Sequence, residues 1–436
     1  MNARRERETV LVKWKPEHRS LIAGYIDALM NILTIDQNGQ VSTTEIFKLD
    51  ILLKILTENI TLKGIPTSRT KRALIRRAAF LRLKKYKVQD VHTFRRALAA
   101  EVRRHLSRPV EKYWILLPLH VPSEELGNSR SISILGNRLL FRTWNYVQRR
   151  FDLQSFLREA NIFLRGRDIT EMKLFTIFSP ILVLSEGKDS REAFDTANRS
   201  FDLLRWLMNL THQFGTITWQ YGGYPRPLGM VLPPPACTVF NEDRSYHELL
   251  YTIVKYEEYQ RNTLRGDEIS EVRRLASRLG GPDSDAQTSA ILIDALEKYG
   301  EALDAFEWRL AFLSLWQILE LITLQSSANL NMKTVKSRVW NLLNQDPLMK
   351  DLLNALYETR NSLVHRGLFP DEEGLREVNL LKHVVERAIN ALSLLTRTCP
   401  TRASLERYYE LTSKNDAELA DRRRLIRSIC QRRATN

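Results

Sequence analysis

The feature that most constrains the fold is the regular spacing of apolar residues in the C-terminal third of the chain. Between Glu372 and Leu395 a broad apolar face is formed by Leu375, Val378, Leu381, Val384, Val385, Ala388 and Leu392. A helix with so wide an apolar face has to be covered by other helices. The same spacing predicts helices over 286–303, 306–324, 335–343 and 347–366. We therefore expect a helical bundle over residues 285–398.

The composition indicates a folded protein with a polyanionic partner. The chain has 436 residues, of which 43% are hydrophobic and 27% are charged, so two or three domains are expected. Its formal net charge of +15 at pH 7 favours nucleic acid or an anionic membrane surface as the partner. The alternative is a basic protein without such a partner.

Cysteine usage and the most apolar segment exclude several classes of protein. Cys237, Cys399 and Cys430 show no paired spacing, so neither a disulfide framework nor a zinc site is predicted. The segment 306–324 carries charged residues, which favours a buried bundle helix over a membrane span. No apolar signal region follows the N-terminus. We expect a cytoplasmic protein that needs no metal or cofactor and no membrane.

The changing pattern along the chain predicts a mainly α fold in five parts. These are a helical basic region (1–109), an α/β or α+β middle domain (110–240), a helical connector (241–284), a helical bundle (285–398) and a basic tail (399–436). In the middle domain, 113–119 and 132–141 are strand-like, and Pro180 argues against a central strand over 175–184. A helix is predicted over 190–210 and another over 246–262. The arginine-rich tail is either a basic arm or a frayed helix.

The most basic stretch runs from Arg69 to Arg108. It contains fourteen Lys or Arg residues against only Asp90 and Glu101. Two helices are predicted here, and such a basic unit could follow a nucleic-acid backbone. The alternative is a solvated helical face, because aromatic residues for base stacking are sparse. The candidate phosphate contacts are Arg72, Arg76, Arg77, Lys84, Lys85 and Lys87.

The residues with the most suggestive chemistry lie at 356–367, near the end of a predicted bundle helix. Tyr357, Asn361 and His365 are four residues apart and share one helix face, toward which the long Arg360 side chain can reach. Gly367 is expected to end the helix in the left-handed conformation, which leaves His365 in the last turn and near solvent. Arg366, next to His365, is a further candidate for contact with nucleic acid.

This stretch resembles the catalytic signature of the HEPN superfamily, in which an Arg, a polar residue, three more residues and a His occur late in a four-helix bundle. The segment from Leu315 to Glu320 resembles the first long helices of the ApeA-like HEPN branch, which is associated with bacterial antiphage defence. Roughly residues 286–398 are covered. One departure is Arg366, which stands between His365 and Gly367 where the family often has Gly directly after the His.

The resemblance implies a metal-independent endoribonuclease with Arg360, Asn361 and His365 as catalytic residues. Cleavage would proceed by attack of the ribose 2′-hydroxyl. HEPN domains commonly dimerise so that two motifs meet in one cleft, which implies a homodimer formed through the C-terminal bundle. By family analogy the protein would be a toxin of abortive antiphage defence acting on cellular RNA, with tRNA among the candidate targets.

Other functions stay open at this point. The protein could be a non-enzymatic nucleic-acid-binding protein whose basic helices read duplex DNA while the bundle dimerises, or a helical toxin or scaffold inhibited by a partner protein. Locally, Arg360 could pair with Glu358 or Glu320 while His365 only caps its helix. The chain has no Gly-Lys-Ser/Thr phosphate loop, no second His after His247 at zincin spacing and no Gly-x-Ser-x-Gly elbow, which disfavours ATP hydrolysis and metalloprotease activity.

Overall fold

The computed structural model describes most of the chain and divides it into two compact units. The described residues are 11–15, 19–35, 41–43, 45–65, 68–86, 91–122, 130–163, 174–214, 228–251, 266–279, 287–323, 331–369, 374–414 and 416–434. The first unit comprises Met1–Tyr113 and Ser185–Thr196, and the second comprises Trp114–Leu184 and Ala197–Asn436. The predicted five-part division is finer than these two units and stays a prediction.

The first unit is mainly helical, as the sequence predicts. Its helices are α1 (Arg19–Asn31), α2 (Ile46–Asn59), α3 (Ser68–Tyr86) and α4 (Val91–Leu106), and its short strands are β1 (Val12–Trp14), β2 (Thr34–Ile35), β3 (Val41–Ser42) and β4 (Ile60–Leu62). β1 pairs antiparallel with β4, and β2 pairs antiparallel with β3. One apolar core joins the four helices through Ile26, Leu29, Leu53, Leu56, Leu74, Ile75, Phe94 and Leu98.

A six-stranded sheet forms the middle of the chain. Its strands are β5 (Glu111–Leu119), β6 (Ser131–Ile134), β7 (Asn137–Phe141), β8 (Ser179–Gly187), β9 (Ala236–Asn241) and β10 (Tyr246–Tyr251), in the order β10-β9-β5-β8-β7-β6. The pairs β9–β10, β6–β7 and β7–β8 are antiparallel. Three helices follow β7 and precede β8 in the chain: α5 (Trp144–Arg150), α6 (Leu153–Phe163) and α7 (Leu174–Ile177). Aromatic residues dominate the core, including Trp144, Phe151, Phe156, Phe178 and Phe240.

Two sequence predictions in this region are wrong. β8 is a central strand, between β5 and β7, although Pro180 was expected to exclude one. Pro180 is the second residue of β8, where the missing N–H is tolerated, and its carbonyl oxygen still accepts a hydrogen bond from the Arg142 N–H at 3.2 Å. Residues 246–251 form strand β10, not the predicted helix, because they pair with β9 across a short turn. The remainder of that predicted helix lies outside the described residues.

The remaining helices include those that the apolar spacing predicts for the bundle. They are α8 (Ser190–His212), α9 (Gly266–Leu279), α10 (Gln287–Asp304), α11 (Trp308–Thr323), α12 (Met332–Leu342), α13 (Pro347–Arg366), α14 (Gly374–Leu395), α15 (Arg402–Thr412) and α16 (Asp416–Ala434). The buried residues of α10, α11, α13 and α14 meet in a common core that includes Tyr299, Phe312, Trp316, Leu319, Leu356, Val378, Leu381 and Val385. The expected mainly helical fold is therefore confirmed, and the sheet region is small and antiparallel.

Two contacts hold helix α8 against α10. One is the ion pair of a buried arginine, and the other is an indole packed closely against a glycine. The Arg205 guanidinium, 2% exposed, donates to both carboxylate oxygens of Asp304, at 2.8 and 2.6 Å. The Trp206 indole lies where a side chain at Gly300 would be, so a Cβ at that position of α10 would require the indole to move. These contacts join a helix of the predicted middle domain to the bundle within the second unit.

The predicted basic tail begins with a packed helix. Thr401 and Ser404 form reciprocal capping hydrogen bonds at the start of α15. Leu405 and Tyr409 are buried, and the Tyr409 hydroxyl donates to the Ile322 carbonyl at 3.1 Å. Within the described residues no helix combines the length and the apolarity needed to span a membrane.

Candidate functional site

The helix that carries the motif, α13, begins and ends where its sequence predicts. The Asp346 side chain accepts a hydrogen bond from the Leu348 N–H at 3.0 Å, and Pro347 occupies the first helical position. At the other end Gly367 has φ of 67° and donates its N–H to the Leu363 carbonyl at 3.1 Å. Only a residue without a Cβ adopts this left-handed conformation at little cost. The helix therefore ends at Arg366 and places His365 in its last turn.

His365 is the accessible member of the motif. Its side chain and that of Arg366 are exposed. The His365 imidazole forms no hydrogen bond or ion pair with any residue that the structure describes. Two apolar neighbours are exposed as well, Val364 at 47% and Leu368 at 61%. A histidine ring with no partner among the described residues thus lies at the surface, so that it is open to a substrate or to a second protein surface.

Arg360 lies instead in the groove between α13 and α11. Its Nη2 atom is 3.7 Å from the Glu320 Oε1 atom, and both side chains are 21% exposed. This separation is too long for a hydrogen bond. Neither Arg360 Nε nor Glu320 Oε1 has a hydrogen-bond partner within the part of the chain that the structure describes. The guanidinium therefore lies beside a carboxylate without a hydrogen bond to any described residue, although its Nε atom is buried.

Asn361 and Tyr357 occupy the same helix face as His365, about one and two turns before it. Both side chains are half-buried. The Tyr357 ring contacts the Trp316 indole of α11, with ring centroids 6.0 Å apart, and the Lys336 ammonium lies 4.5 Å from the Tyr357 centroid. Lys336 also donates to Asn354 Oδ1 at 2.9 Å. Local sequence patterns do not reveal these contacts, because they join residues 18 and 21 positions apart in the chain.

A single chain does not bring Arg360 and His365 together. Five helical residues separate them, a rotation of about 140° around the helix axis. No hydrogen bond or ion pair links the two side chains among the described residues. Of the alternatives that the sequence left open, the pairing of Arg360 with Glu320 is the one observed. The helix end is capped by the Gly367 backbone, so His365 is not needed as the cap.

The proposed phosphate-binding residues of the first unit are only partly described. In α3, Arg76 is exposed and its guanidinium carbon lies 5.1 Å from the Phe80 ring centroid, while Arg72 and Arg77 are half-buried. Leu74 and Ala78 of the same helix are buried in the core of that unit. Lys84 and Lys85 belong to α3, but their side chains lie outside the described residues, as does the whole of Lys87.

The functional groups of the candidate site are those of its side chains. Among the described residues no three His, Cys, Asp or Glu side chains are grouped so that they could hold a metal ion. The side chains at the candidate site supply an imidazole, a guanidinium, an amide and one carboxylate. Comparison of the chain with family models, with curated proteins and with solved structures finds no match.

Proposed function

We propose that the protein is a metal-independent endoribonuclease of HEPN type. The observation that carries the proposal is the exposed, unengaged His365 in the last turn of a bundle helix that also bears Arg360 and Asn361. The net charge of +15 favours an RNA substrate. The resemblance noted above extends the proposal to abortive antiphage defence, with tRNA among the candidate targets.

The chemistry follows from the ordinary properties of these side chains. A histidine with a reference pKa near 6.5 can exchange protons close to neutral pH. One imidazole accepts the proton of the ribose 2′-hydroxyl as the 2′-oxygen bonds to phosphorus and the bond from phosphorus to the 5′-oxygen breaks. A second group, acting as an acid, donates a proton to the departing 5′-oxygen. The products are a 2′,3′-cyclic phosphate and a 5′-hydroxyl, and DNA is not cut because it lacks the 2′-hydroxyl.

Arg360 and Asn361 stabilise the charge that develops on the phosphoryl oxygens. A guanidinium presents a planar fork of donors that matches two phosphate oxygens. Glu320 lies 3.7 Å from Arg360, which is too far for a hydrogen bond. An incoming phosphate can therefore bind the guanidinium while Glu320 keeps it oriented. Asn361 holds the imidazole or a phosphate oxygen. Glu320 acts in this proposal as a positioning residue.

A second copy of the chain completes the site. One motif supplies one imidazole, whereas cleavage needs a base for the 2′-hydroxyl and an acid for the 5′-oxygen. A two-fold axis beside His365 would bring two such helix ends together. The exposed Val364 and Leu368, which flank His365, provide apolar surface for that contact. The guanidinium and the imidazole, which one chain holds apart, could then act on the same phosphate from different subunits.

The test is cleavage of RNA by a chelator-treated preparation of four variants beside wild type. His365→Ala and Arg360→Ala remove the proposed groups, and the controls His247→Ala and Arg376→Ala remove an exposed histidine and an exposed arginine elsewhere in the second unit. We expect the cleavage rate to fall about 100-fold or more for each site variant, as for loss of an acid–base group or a transition-state donor. The controls should cleave like wild type.

End-group analysis should find 2′,3′-cyclic phosphates on the fragments. Equal cleavage by wild type and His365→Ala would contradict the proposal. A non-enzymatic DNA-binding function, for which the exposed Arg76 on α3 is the favouring observation, predicts intact RNA after incubation together with sequence-selective binding of duplex DNA.

A further inference from the structure

In the middle of helix α16 (Asp416–Ala434), no face of the helix is buried against the described residues. Every described side chain from Asp421 to Arg427 is exposed. These include Leu425, 61% exposed, and Ile426, 60% exposed. Most of the stability of a helix in a folded protein comes from burying one face. This part of α16 gains little from the rest of the chain, which suggests that something else binds it.

The charge on α16 is largely unneutralised. Arg422, Arg423 and Arg427 form no ion pair with any residue that the structure describes. Arg424 Nη1 lies 3.8 Å from Asp421 Oδ1, but the two side chains are 82% and 73% exposed, so the pair contributes little. Arg427 follows Arg423 by four residues and Arg424 by three, and like charges at these spacings destabilise a helix. A polyanion would relieve this repulsion.

The arrangement of the arginines around the helix favours nucleic acid over a membrane surface as the binding partner. Successive residues of a helix are turned by about 100°, so Arg422, Arg423 and Arg424 cover more than half of the circumference. Arg422 lies between Leu425 and Ile426 on the helical projection, in the middle of the apolar sector. A helix that lies on a membrane surface needs its apolar and basic residues on separate faces. An acidic protein surface would likewise contact one face only.

Folded RNA is the polyanion that can surround such a helix. Phosphates line both sides of a groove beside a bulge or a loop, and arginine-rich segments bind RNA in this way. We propose that α16 is an RNA-binding arm, in which Arg422, Arg423 and Arg427 contact phosphates of a folded RNA and Leu425 and Ile426 lie against ribose and base surfaces. This function goes beyond cleavage, because binding by α16 needs no chemistry at His365.

The experiment measures RNA binding by the full chain in a His365→Ala background, so that the probe stays intact. The probe is a fluorescein-labelled RNA hairpin with an internal bulge, followed by anisotropy over a series of salt concentrations. The test variant is Arg422→Gln, Arg423→Gln and Arg427→Gln, since glutamine keeps the helix propensity and removes three charges. The matched control is Arg149→Gln, Arg150→Gln and Arg158→Gln, three exposed arginines of α5 and α6.

We expect the dissociation constant to rise at least about tenfold for the α16 variant at moderate salt. The slope of log K against log salt should fall by about 2 to 3, since each lost phosphate contact contributes about 0.7 to 0.9. The control, which loses the same charge, should change the slope by less than about 1. A circular-dichroism spectrum equal to that of wild type confirms that each variant is folded.

Two results would overturn the proposal. Equal losses for both triple variants would mean that only the total charge of the protein matters. Unchanged RNA binding together with lost binding to phosphatidylglycerol vesicles would make α16 a membrane-binding helix. Because anisotropy does not depend on cleavage, a failure of the ribonuclease proposal leaves this measurement and its interpretation intact.

Discussion

Lys382 is the residue whose surroundings most constrain the interior of the second unit. Its ammonium donates to Glu386 Oε1 at 2.7 Å and to the Gln213 carbonyl at 3.2 Å, and both charged side chains are fully buried. The Tyr299 hydroxyl donates to the same carboxylate oxygen at 2.7 Å. Burial, together with Glu386, holds the pKa of Tyr299 well above its ordinary value, so the hydroxyl stays protonated and keeps donating. The three groups form one buried network that joins α10 to α14.

Lys382→Met should therefore be strongly destabilising. It leaves the Glu386 carboxylate buried without its cation, which costs about 3 to 5 kcal/mol in comparable cases. Chemical denaturation followed by circular dichroism would measure the loss in free energy of unfolding. Lys333 is exposed, so Lys333→Met serves as the control. Its free energy of unfolding should stay within about 0.5 kcal/mol of that of wild type.

The double variant Lys382→Met with Glu386→Leu distinguishes an unpaired charge from lost packing. Replacing both charged groups by apolar ones removes the buried carboxylate, so much of the lost stability should return. If the double variant were less stable than Lys382→Met alone, the destabilisation would not come from an unpaired carboxylate.

Among the elements, α10 shows how one small residue fixes the packing of two helices. Gly300 has no side chain, and the Trp206 indole of α8 fills the space beside it. The same approach brings Arg205 to Asp304, four residues further along α10. A helix interior normally favours alanine over glycine by about 0.5 to 1 kcal/mol. At this position the close approach of α8 outweighs that preference.

Gly300→Ala should lower the stability of the protein. The added methyl group would overlap the Trp206 indole, and overpacking of this kind costs about 1 to 3 kcal/mol. Gly24→Ala in α1 is the matched control, since its Cβ meets no atom within 4 Å, and it should be neutral or slightly stabilising. Differential scanning calorimetry would compare the two melting temperatures. An unchanged or higher melting temperature for Gly300→Ala would show that Trp206 can move away without cost.

At the scale of the whole molecule, the proposed activity depends on assembly. The exposed Val364 and Leu368 lie beside His365, and the proposed two-fold contact would bury them. A charged residue in an apolar contact must lose its water without gaining a partner, so it weakens association. The oligomeric state is therefore expected to control the ribonuclease activity.

Leu368→Asp together with Val364→Asp should raise the dissociation constant of the dimer at least about tenfold, which corresponds to about 1.4 kcal/mol. Analytical ultracentrifugation over a range of protein concentrations measures it. Leu21→Asp, at an exposed apolar residue of α1, is the control and should associate like wild type. RNA cleavage should fall in parallel with the dimer fraction. A monomeric variant with full cleavage activity would show that one chain carries a complete site.

The sequence by itself determined the local structure of the bundle. The bounds of α13 follow from Pro347 and Gly367, and the buried face of α14 follows from its apolar spacing, because both depend on residues only a few positions apart. The exposure of His365 was predictable for the same reason. The tertiary structure alone decided that Arg360 lies beside Glu320, that Lys336 lies over Tyr357, that β8 is a central strand despite Pro180, and that 246–251 is a strand. The first three depend on partners distant in the chain, whose approach is set by the packing of whole helices and strands, whereas 246–251 is a strand because it pairs with β9 across a short turn.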